Sequence, residues 1–237
     1  MIRRHYQAEL RSLQQAVLDE LDVVVQQLTL VLEALPTADR SVAEEVIRRD
    51  EEVDRRYAAL QTDLVAVIAR QAPVAGDLRL ITALLHISRM VERIGDQCVN
   101  VAKLATVAGP SPAGTEGLVD CVLSMGRQTL EAVRGAAVAL REHDLGLAET
   151  LAERDQDVNE LNRTCFTRAI ELGSDESARA WATAMILVAR AFERIGDNAV
   201  DIGAHLRFAA TGTFDSRPAA TKPLTDRTSR SPSESSR

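Results

Sequence analysis

Aromatic residues make up only 3% of this 237-residue chain, and no apolar run approaches the length of a membrane-spanning helix. Apolar residues nevertheless reach 46%, so the composition favours a core of Ala, Val, Leu and Ile between packed helices over a β-sandwich. The N-terminal segment MIRRHYQAEL lacks the apolar stretch of a signal peptide. We therefore predict a cytoplasmic protein that meets a membrane only through a partner.

Cysteine is scarce and odd in number, with Cys98, Cys121 and Cys165 far apart in the chain. This argues against a disulfide framework, and we interpret the three as small buried apolar residues in a reducing compartment. The net charge of −7 argues against nucleic acid as the main partner.

Signatures of catalysis are also missing from the sequence. It contains neither a phosphate-binding P-loop nor the Glu-x-x-His pair of ferritin-like di-iron proteins. We predict no enzymatic activity. The histidines are scattered and are expected to be surface or partly packed residues: His5, His86, His143 and His205.

What the chain does contain is an internal repeat. The pentapeptide Glu-Arg-Ile-Gly-Asp occurs at Glu92–Asp96 and again at Glu193–Asp197, and RDEEVDRR from Arg49 resembles RDQDVNEL from Arg154. Pro and Gly clusters separate the periodic segments. We predict helices at residues 4–35, 39–70, 76–107, 116–142, 145–172 and 175–210, the last with Ser174 or Asp175 as its N-cap.

These helices predict an all-α fold of two tandem three-helix bundles, because short connections join antiparallel neighbours. The first bundle is expected at residues 1–107 and the second at 118–211, with the Pro/Gly-rich segment 108–117 as the linker. Residues 212–237 are rich in Ser, Thr and Pro and have almost no large apolar side chains, so we predict a disordered tail.

The third helix of each repeat is predicted to carry an apolar seam on one face and oxygen-bearing side chains on another. Steps of three and four residues connect the seam positions, which are Leu84, Ile87, Val91, Ile94, Cys98, Val101 and Ala105, then Val188, Phe192, Ile195, Ala199, Ile202 and Leu206. Side chains spaced by four form what we call the acidic columns: Glu92, Asp96 and Asn100, then Glu193, Asp197 and Asp201.

Gly95 and Gly196 stand beside the acidic columns in the middle of these helices. A glycine inside a helix costs about 1 kcal/mol relative to alanine. Two glycines at equivalent places suggest that another helix or a bound group comes close there, and tight helix packing is the other explanation.

The second helix of each repeat carries a related motif, Asp50 and Asp54 in the first repeat and Asp155 and Asn159 in the second. Asp50 falls near the phase of the apolar positions, where a carboxylate needs a cation or several hydrogen-bond donors. The motif meets an acidic column only if the helix register brings both to one height. A set of oxygen donors without Cys or His suits Mg²⁺, Ca²⁺ or Mn²⁺. Iron is also compatible with such a set, and zinc is less favoured. The alternative is that the acids bind no metal and are simply solvated.

Arginines flank both columns. Arg89 and Arg190 precede the motif glutamates by three residues, and Arg93 and Arg194 follow them directly. We expect salt bridges on or between helices, with contact to an anion as the alternative.

Residues 1–212 resemble the PhoU family of phosphate-uptake regulators. The resemblance rests on DEEVD, on PVAGDLRLITALLHISRMVERIGDQCVNVAKLA (Pro73–Ala105) and on RAFERIGDNAVDIGAHLRFAATG (Arg190–Gly212). It implies a cytoplasmic, usually homodimeric, six-helix protein without enzymatic activity. It also implies partners, the ATPase-driven Pst phosphate transporter and a PhoR-type sensor histidine kinase, and a role in keeping the phosphate-starvation response off when phosphate is plentiful.

The resemblance further implies metal ligands, because some family members hold metal clusters on Glu/Asp-x-x-x-Asp motifs. Divalent or iron-type ions (Mg, Mn, Fe or Zn) are the candidates. Asn159 departs from the pattern, and its neutral amide makes the second site weaker. A metal-storage or metal-dependent helical-bundle protein is the alternative function. The candidate ligands are Asp50, Asp54, Glu92, Asp96, Asn100, Asp155, Glu193, Asp197 and Asp201.

Overall fold

The computed structural model describes residues 2–172 and 175–214, and within those ranges every regular element is an α-helix. This confirms the predicted all-α repeat, and each helix ends close to its predicted bounds. The helices are α1 (Ile2–Ala34), α2 (Arg40–Gln71), α3 (Ala75–Ala108), α4 (Glu116–Glu142), α5 (Leu145–Glu171) and α6 (Glu176–Thr211).

Aspartates begin three of the helices. Asp39, Asp144 and Asp175 each accept a hydrogen bond from a backbone N–H in the first turn of the helix that follows. Such N-caps satisfy donors that have no partner inside the helix. Of the two N-caps considered for α6, Asp175 is therefore the one used. At the other end of α2, Ala72 takes a left-handed conformation just before Pro73, which cannot continue the helix.

The helices form two bundles that share a long interface. α1, α2 and α3 pack against one another, as do α4, α5 and α6, and the most extensive helix pair in the molecule is α3 with α6. α1 also packs against α4. The two third helices, which carry the acidic columns, therefore lie side by side at the centre of the protein.

The predicted seams form the core of each bundle. All their residues are buried, including Cys98, and Phe192 is completely inaccessible to solvent. The linker is also held in place, since Trp181 Nε1 donates a hydrogen bond to the Gly109 carbonyl at 3.3 Å. None of the described helices is long and apolar enough to cross a membrane.

All three cysteines are buried and none forms a disulfide, as the prediction of small core residues requires. Cys121 of α4 and Cys165 of α5 face each other, with their sulfur atoms 2.8 Å apart. Burial raises the pKa of the Cys165 thiol, and the neighbouring Cys121 raises it further.

The start of the predicted tail contacts the second bundle. Phe214 stacks edge-on against His205 with ring centroids 5.0 Å apart, and His205 in turn stacks flat on His86 of α3 at 4.6 Å. Burial and the neighbouring His86 lower the pKa of His205 to about 4. The prediction of disorder for residues 215–237 lies outside the described residues.

Candidate functional site

The acidic motifs of α2 and α3 meet in the first repeat. The charges of Asp54, Glu92 and Asp96 all act on Asp50, and Asp50 Oδ1 lies against Gly95 of α3, so the two motifs are neighbours. The register that the sequence leaves open thus brings the Asp50 motif and the first acidic column to the same height. We call these four residues the first acidic cluster.

Asp50 is the most perturbed member of this cluster. Its pKa is raised to about 6, mainly by burial and also by the three neighbouring carboxylates, against the lowering effect of a hydrogen bond from Gln27. The Gln27 side chain on α1 donates to the Val46 carbonyl at 3.1 Å and to Asp50 Oδ1 at 3.5 Å. A half-buried carboxylate among like charges is costly to ionise, so this position favours a bound proton or a bound cation.

Glu92 is held from one side only. Arg89 Nη1 donates to Glu92 Oε1 at 2.6 Å, while Oε2 is buried and has no hydrogen-bond partner. Burial and the charge of Asp96 raise the pKa of Glu92, and Arg89 lowers it. The side chain is only 14% exposed, so the column is less open to solvent than its heptad phase alone suggests.

The close approach predicted at the two glycines is present. A Cβ atom on Gly95 would lie 2.6 Å from Asp50 Oδ1, and one on Gly196 would lie 3.1 Å from Asp155 Oδ1. The glycine of α3 therefore makes room for the carboxylate of α2, and the glycine of α6 does the same for α5. Of the explanations considered, approach of a neighbouring helix is the one that applies.

The second repeat differs where its sequence differs. Asn159 Nδ2 donates to Asp155 Oδ2 at 2.9 Å, so an amide occupies the place that the Asp54 carboxylate has in the first repeat. Arg190 forms an ion pair with Glu193, which matches the pair of Arg89 with Glu92. The predicted salt bridges of the first arginine in each motif are thus confirmed. The amide lowers the negative charge of this second site.

The two acidic columns also share a surface. A groove of about 420 Å³ lies between α3 and α6 and is lined from both repeats by Arg89, Arg93, Asp96, Gln97, Arg194, Asp197, Asn198 and Asp201. Asn100 does not line it; this exposed side chain faces an adjoining groove with Lys103. Asp96, Asp197 and Asp201 therefore share the groove between α3 and α6, and Asn100 lies apart from the other predicted ligands.

The first acidic cluster suits a hard cation by charge and by donor type, since four carboxylates are close together and a buried Glu92 oxygen has no partner. Across residues 2–172 and 175–214, however, no three His, Cys, Asp or Glu side chains converge at metal-binding distances. Side-chain movement would have to accompany binding. The second site fits a cation less well because Asn159 presents its amide nitrogen to Asp155.

Sequence reasoning missed three polar residues in the core of the first bundle. Glu20, Gln27 and Ser88 are at most 1% exposed. A signal for two of them was available: Glu20 and Gln27 continue the three-and-four spacing of the apolar residues Val17 and Val24 on α1. Gln27 belongs to the site through its bond to Asp50, whereas Glu20 faces Ser88 and Arg56.

Comparison with known proteins identifies the family to which this fold belongs. The PhoU domain matches the chain twice, at residues 17–105 and 122–206, one match for each bundle. The chain belongs to the PhoU family.

The chain aligns with individual relatives over most of their length. PhoU homolog 2 of Mycobacterium tuberculosis, a phosphate-specific transport system accessory protein, is 32% identical over 182 residues, which are 77% of this chain and 85% of the relative. The homolog from Clostridium acetobutylicum is 26% identical over 90% of this chain and 97% of its own. The crystal structure of PhoU from Pseudomonas aeruginosa superimposes with a TM-score of 0.82 at 29% identity, covering 88% of this chain and all of that one.

Proposed function

We propose that this protein is a negative regulator of phosphate uptake and of the phosphate-starvation response. It acts as a cytoplasmic, homodimeric adaptor between the ATPase subunit of the Pst phosphate transporter and a PhoR-type sensor histidine kinase, and it catalyses no reaction itself. The observation that carries the proposal is the match, over 77% and 90% of this chain, to relatives named as phosphate-specific transport system accessory proteins.

The arrangement of the helices supports an adaptor role. A protein that couples two partners needs two surfaces on one stiff body, and here the two repeats are joined along α3 and α6. Packed helices transmit a displacement from one surface to the other because a close-packed interior resists local deformation. The extent of the α3–α6 contact, the largest between any two helices described, makes this connection stiff.

The adaptor proposal is tested by recovering the tagged full-length chain from cells grown in high and in low phosphate. The ATPase subunit and the kinase should both be recovered, in a ratio that changes with phosphate supply. An unrelated tagged helical protein expressed at the same level is the control. Failure to recover either partner under both conditions, with the starvation response intact, would contradict the proposal.

We also propose that the first acidic cluster binds a divalent or iron-type metal ion, held by Asp50, Asp54, Glu92 and Asp96. The ion's charge would offset the repulsion among these carboxylates. An ion that binds only the folded protein raises the melting temperature by mass action. Asp155, Glu193, Asp197 and Asp201 form the weaker second site, and the exposed Asn100 contributes less than the four acids.

The metal proposal has a built-in control because the sites are duplicated. Adding the ion should raise the melting temperature, and the Glu92→Ala/Asp96→Ala variant should lose most of that shift. The matching Glu193→Ala/Asp197→Ala variant should lose less. Equal melting of metal-free and metal-treated protein, with no metal found by elemental analysis, contradicts the proposal. Tight stoichiometric metal in a protein that has no partner favours the metal-storage alternative.

A further inference from the structure

An apolar groove lies open on the surface of the second bundle. It encloses about 500 Å³ between α5 and α6, and its walls include Phe166 and Leu187, which are 54% and 52% exposed. Ile170 follows Phe166 by one helical turn and is 67% exposed. We call this the α5/α6 groove. Large apolar side chains exposed side by side are typical of a binding surface.

The first repeat provides an internal comparison, since the repeat offsets match Phe166 with Gln61, Ile170 with Val65 and Leu187 with His86. At that place polar side chains replace Phe166 and Leu187, while Val65 is 58% exposed, much as Ile170 is. Gln61 donates to the Leu85 carbonyl at 3.3 Å, and the His86 ring stacks on His205. The two large apolar side chains Phe166 and Leu187 are therefore specific to the second repeat.

The rim of the groove is basic although the chain as a whole has a net charge of −7. Arg163 and Arg190 line its walls, and Arg190 also forms an ion pair with Glu193. An adjoining groove of about 330 Å³ shares Leu187 and Arg190 and adds Lys103 and Arg194. Apolar walls flanked by cations complement a ligand that has an apolar stripe beside acidic side chains.

We propose that the α5/α6 groove docks an amphipathic helix of a partner protein, with its apolar stripe on Phe166, Ile170 and Leu187 and its acidic flank toward Arg163 and Arg190. A groove between two packed helices is the kind of surface on which a third helix packs. The inference rests on the proposed adaptor function and assigns one of its two partner surfaces.

The chain's own C-terminal segment is a poor occupant for this groove. Leu224 is the single large aliphatic residue of residues 215–237, and that segment holds five Lys or Arg against three Asp or Glu. A basic segment without an apolar stripe matches neither the walls nor the rim. The partner must instead supply negative charge and several large apolar side chains.

The test measures binding of the purified full-length protein to the purified ATPase subunit and, separately, to the cytoplasmic part of the kinase. The Phe166→Gln/Ile170→Gln variant removes the apolar wall, and Arg163→Glu reverses a rim charge. Val65→Gln is the matched control, because it makes the same kind of change at the first-repeat position equivalent to Ile170. These side chains are exposed, and thermal melts check that each variant remains folded.

We expect the double variant to bind one of the two partners at least about tenfold more weakly, while Val65→Gln binds like the parent protein. Arg163→Glu should weaken the same complex, and its salt dependence should be smaller than that of the parent protein because one attractive charge is gone.

Other results overturn the inference. If the double variant binds both partners like the parent protein, the inference is wrong and the adaptor function stands. If the parent protein binds neither partner, the adaptor function fails and the inference with it. A double variant that sediments as a monomer where the parent is a dimer assigns the groove to a second copy. Tighter partner binding after removal of residues 215–237 assigns it to the chain's own tail.

Discussion

Glu20 offers a direct test of how the first bundle is held together. Its side chain lies on α1 inside the core, is 1% exposed, and neither carboxylate oxygen has a hydrogen-bond partner. Its pKa is raised from 4.5 to about 7, because the effect of burial outweighs the lowering effects of Ser88 on α3 and Arg56 on α2. Ser88 is close enough to act on the carboxyl but does not reach hydrogen-bonding geometry.

The sign of the effect follows from this shift. The folded protein keeps a proton on Glu20 that the unfolded chain releases near pH 4.5, so the stabilisation is complete below 4.5 and is lost as the pH rises through 7. One pKa unit corresponds to about 1.4 kcal/mol. Raising the pH from about 5.5 to about 8.5 should therefore lower the unfolding free energy by about 2 kcal/mol, because Glu20 becomes charged. Both pH values lie above the isoelectric point near 5.2.

Glu20→Gln keeps the shape of the side chain and removes the charge. Urea unfolding of both proteins at the two pH values should show that the variant gains about 2 kcal/mol on the parent as the pH rises. Contributions from other titrating groups cancel in this difference. Glu33→Gln, at an exposed position of the same helix, is the control and should follow the parent at both pH values. Parallel pH profiles for Glu20→Gln and the parent would refute the reasoning.

Three further predictions follow from other contacts. Gly95→Ala should lower the unfolding free energy by about 1 kcal/mol more than Gly196→Ala in urea melts, because its methyl group must displace the Asp50 carboxylate; equal effects would contradict the close approach. An NMR titration should find His205 neutral down to about pH 4, so its stabilising contribution is complete above pH 6.5 and is lost as the pH falls through 4; titration near 6.5 would contradict its burial. Ending the chain after Phe214 should leave the melting temperature unchanged, whereas also removing Phe214 should lower it by exposing His205.

Much of the fold could be predicted from the sequence, because helix ends and the repeat are marked by short local motifs. Pro73, Gly109 and the aspartate caps mark helix ends, and the doubled Glu-Arg-Ile-Gly-Asp sets the repeat. The pairing of α3 with α6 was not accessible, since an apolar seam says only that a helix is buried and not which neighbour covers it.

The site was accessible only in part. Spacing by four placed Glu92 and Asp96 on one face, but the meeting with Asp50 depends on the register of α2 against α3, which is set by packing over the whole length of both helices. Gln27 was missed because its partner lies on a different helix. Glu20 lay in the heptad phase of α1, and a search for polar residues within apolar seams would have found it.

The central claim is that this protein keeps the phosphate-starvation response off. Its most direct test is the expression of starvation genes, together with phosphate uptake, in a deletion strain grown in phosphate-rich medium and carrying no second PhoU-family chain. The account predicts that both rise to the level of starved cells and that the full-length chain, supplied from a plasmid, restores repression. Unchanged expression and uptake in the deletion strain would contradict it.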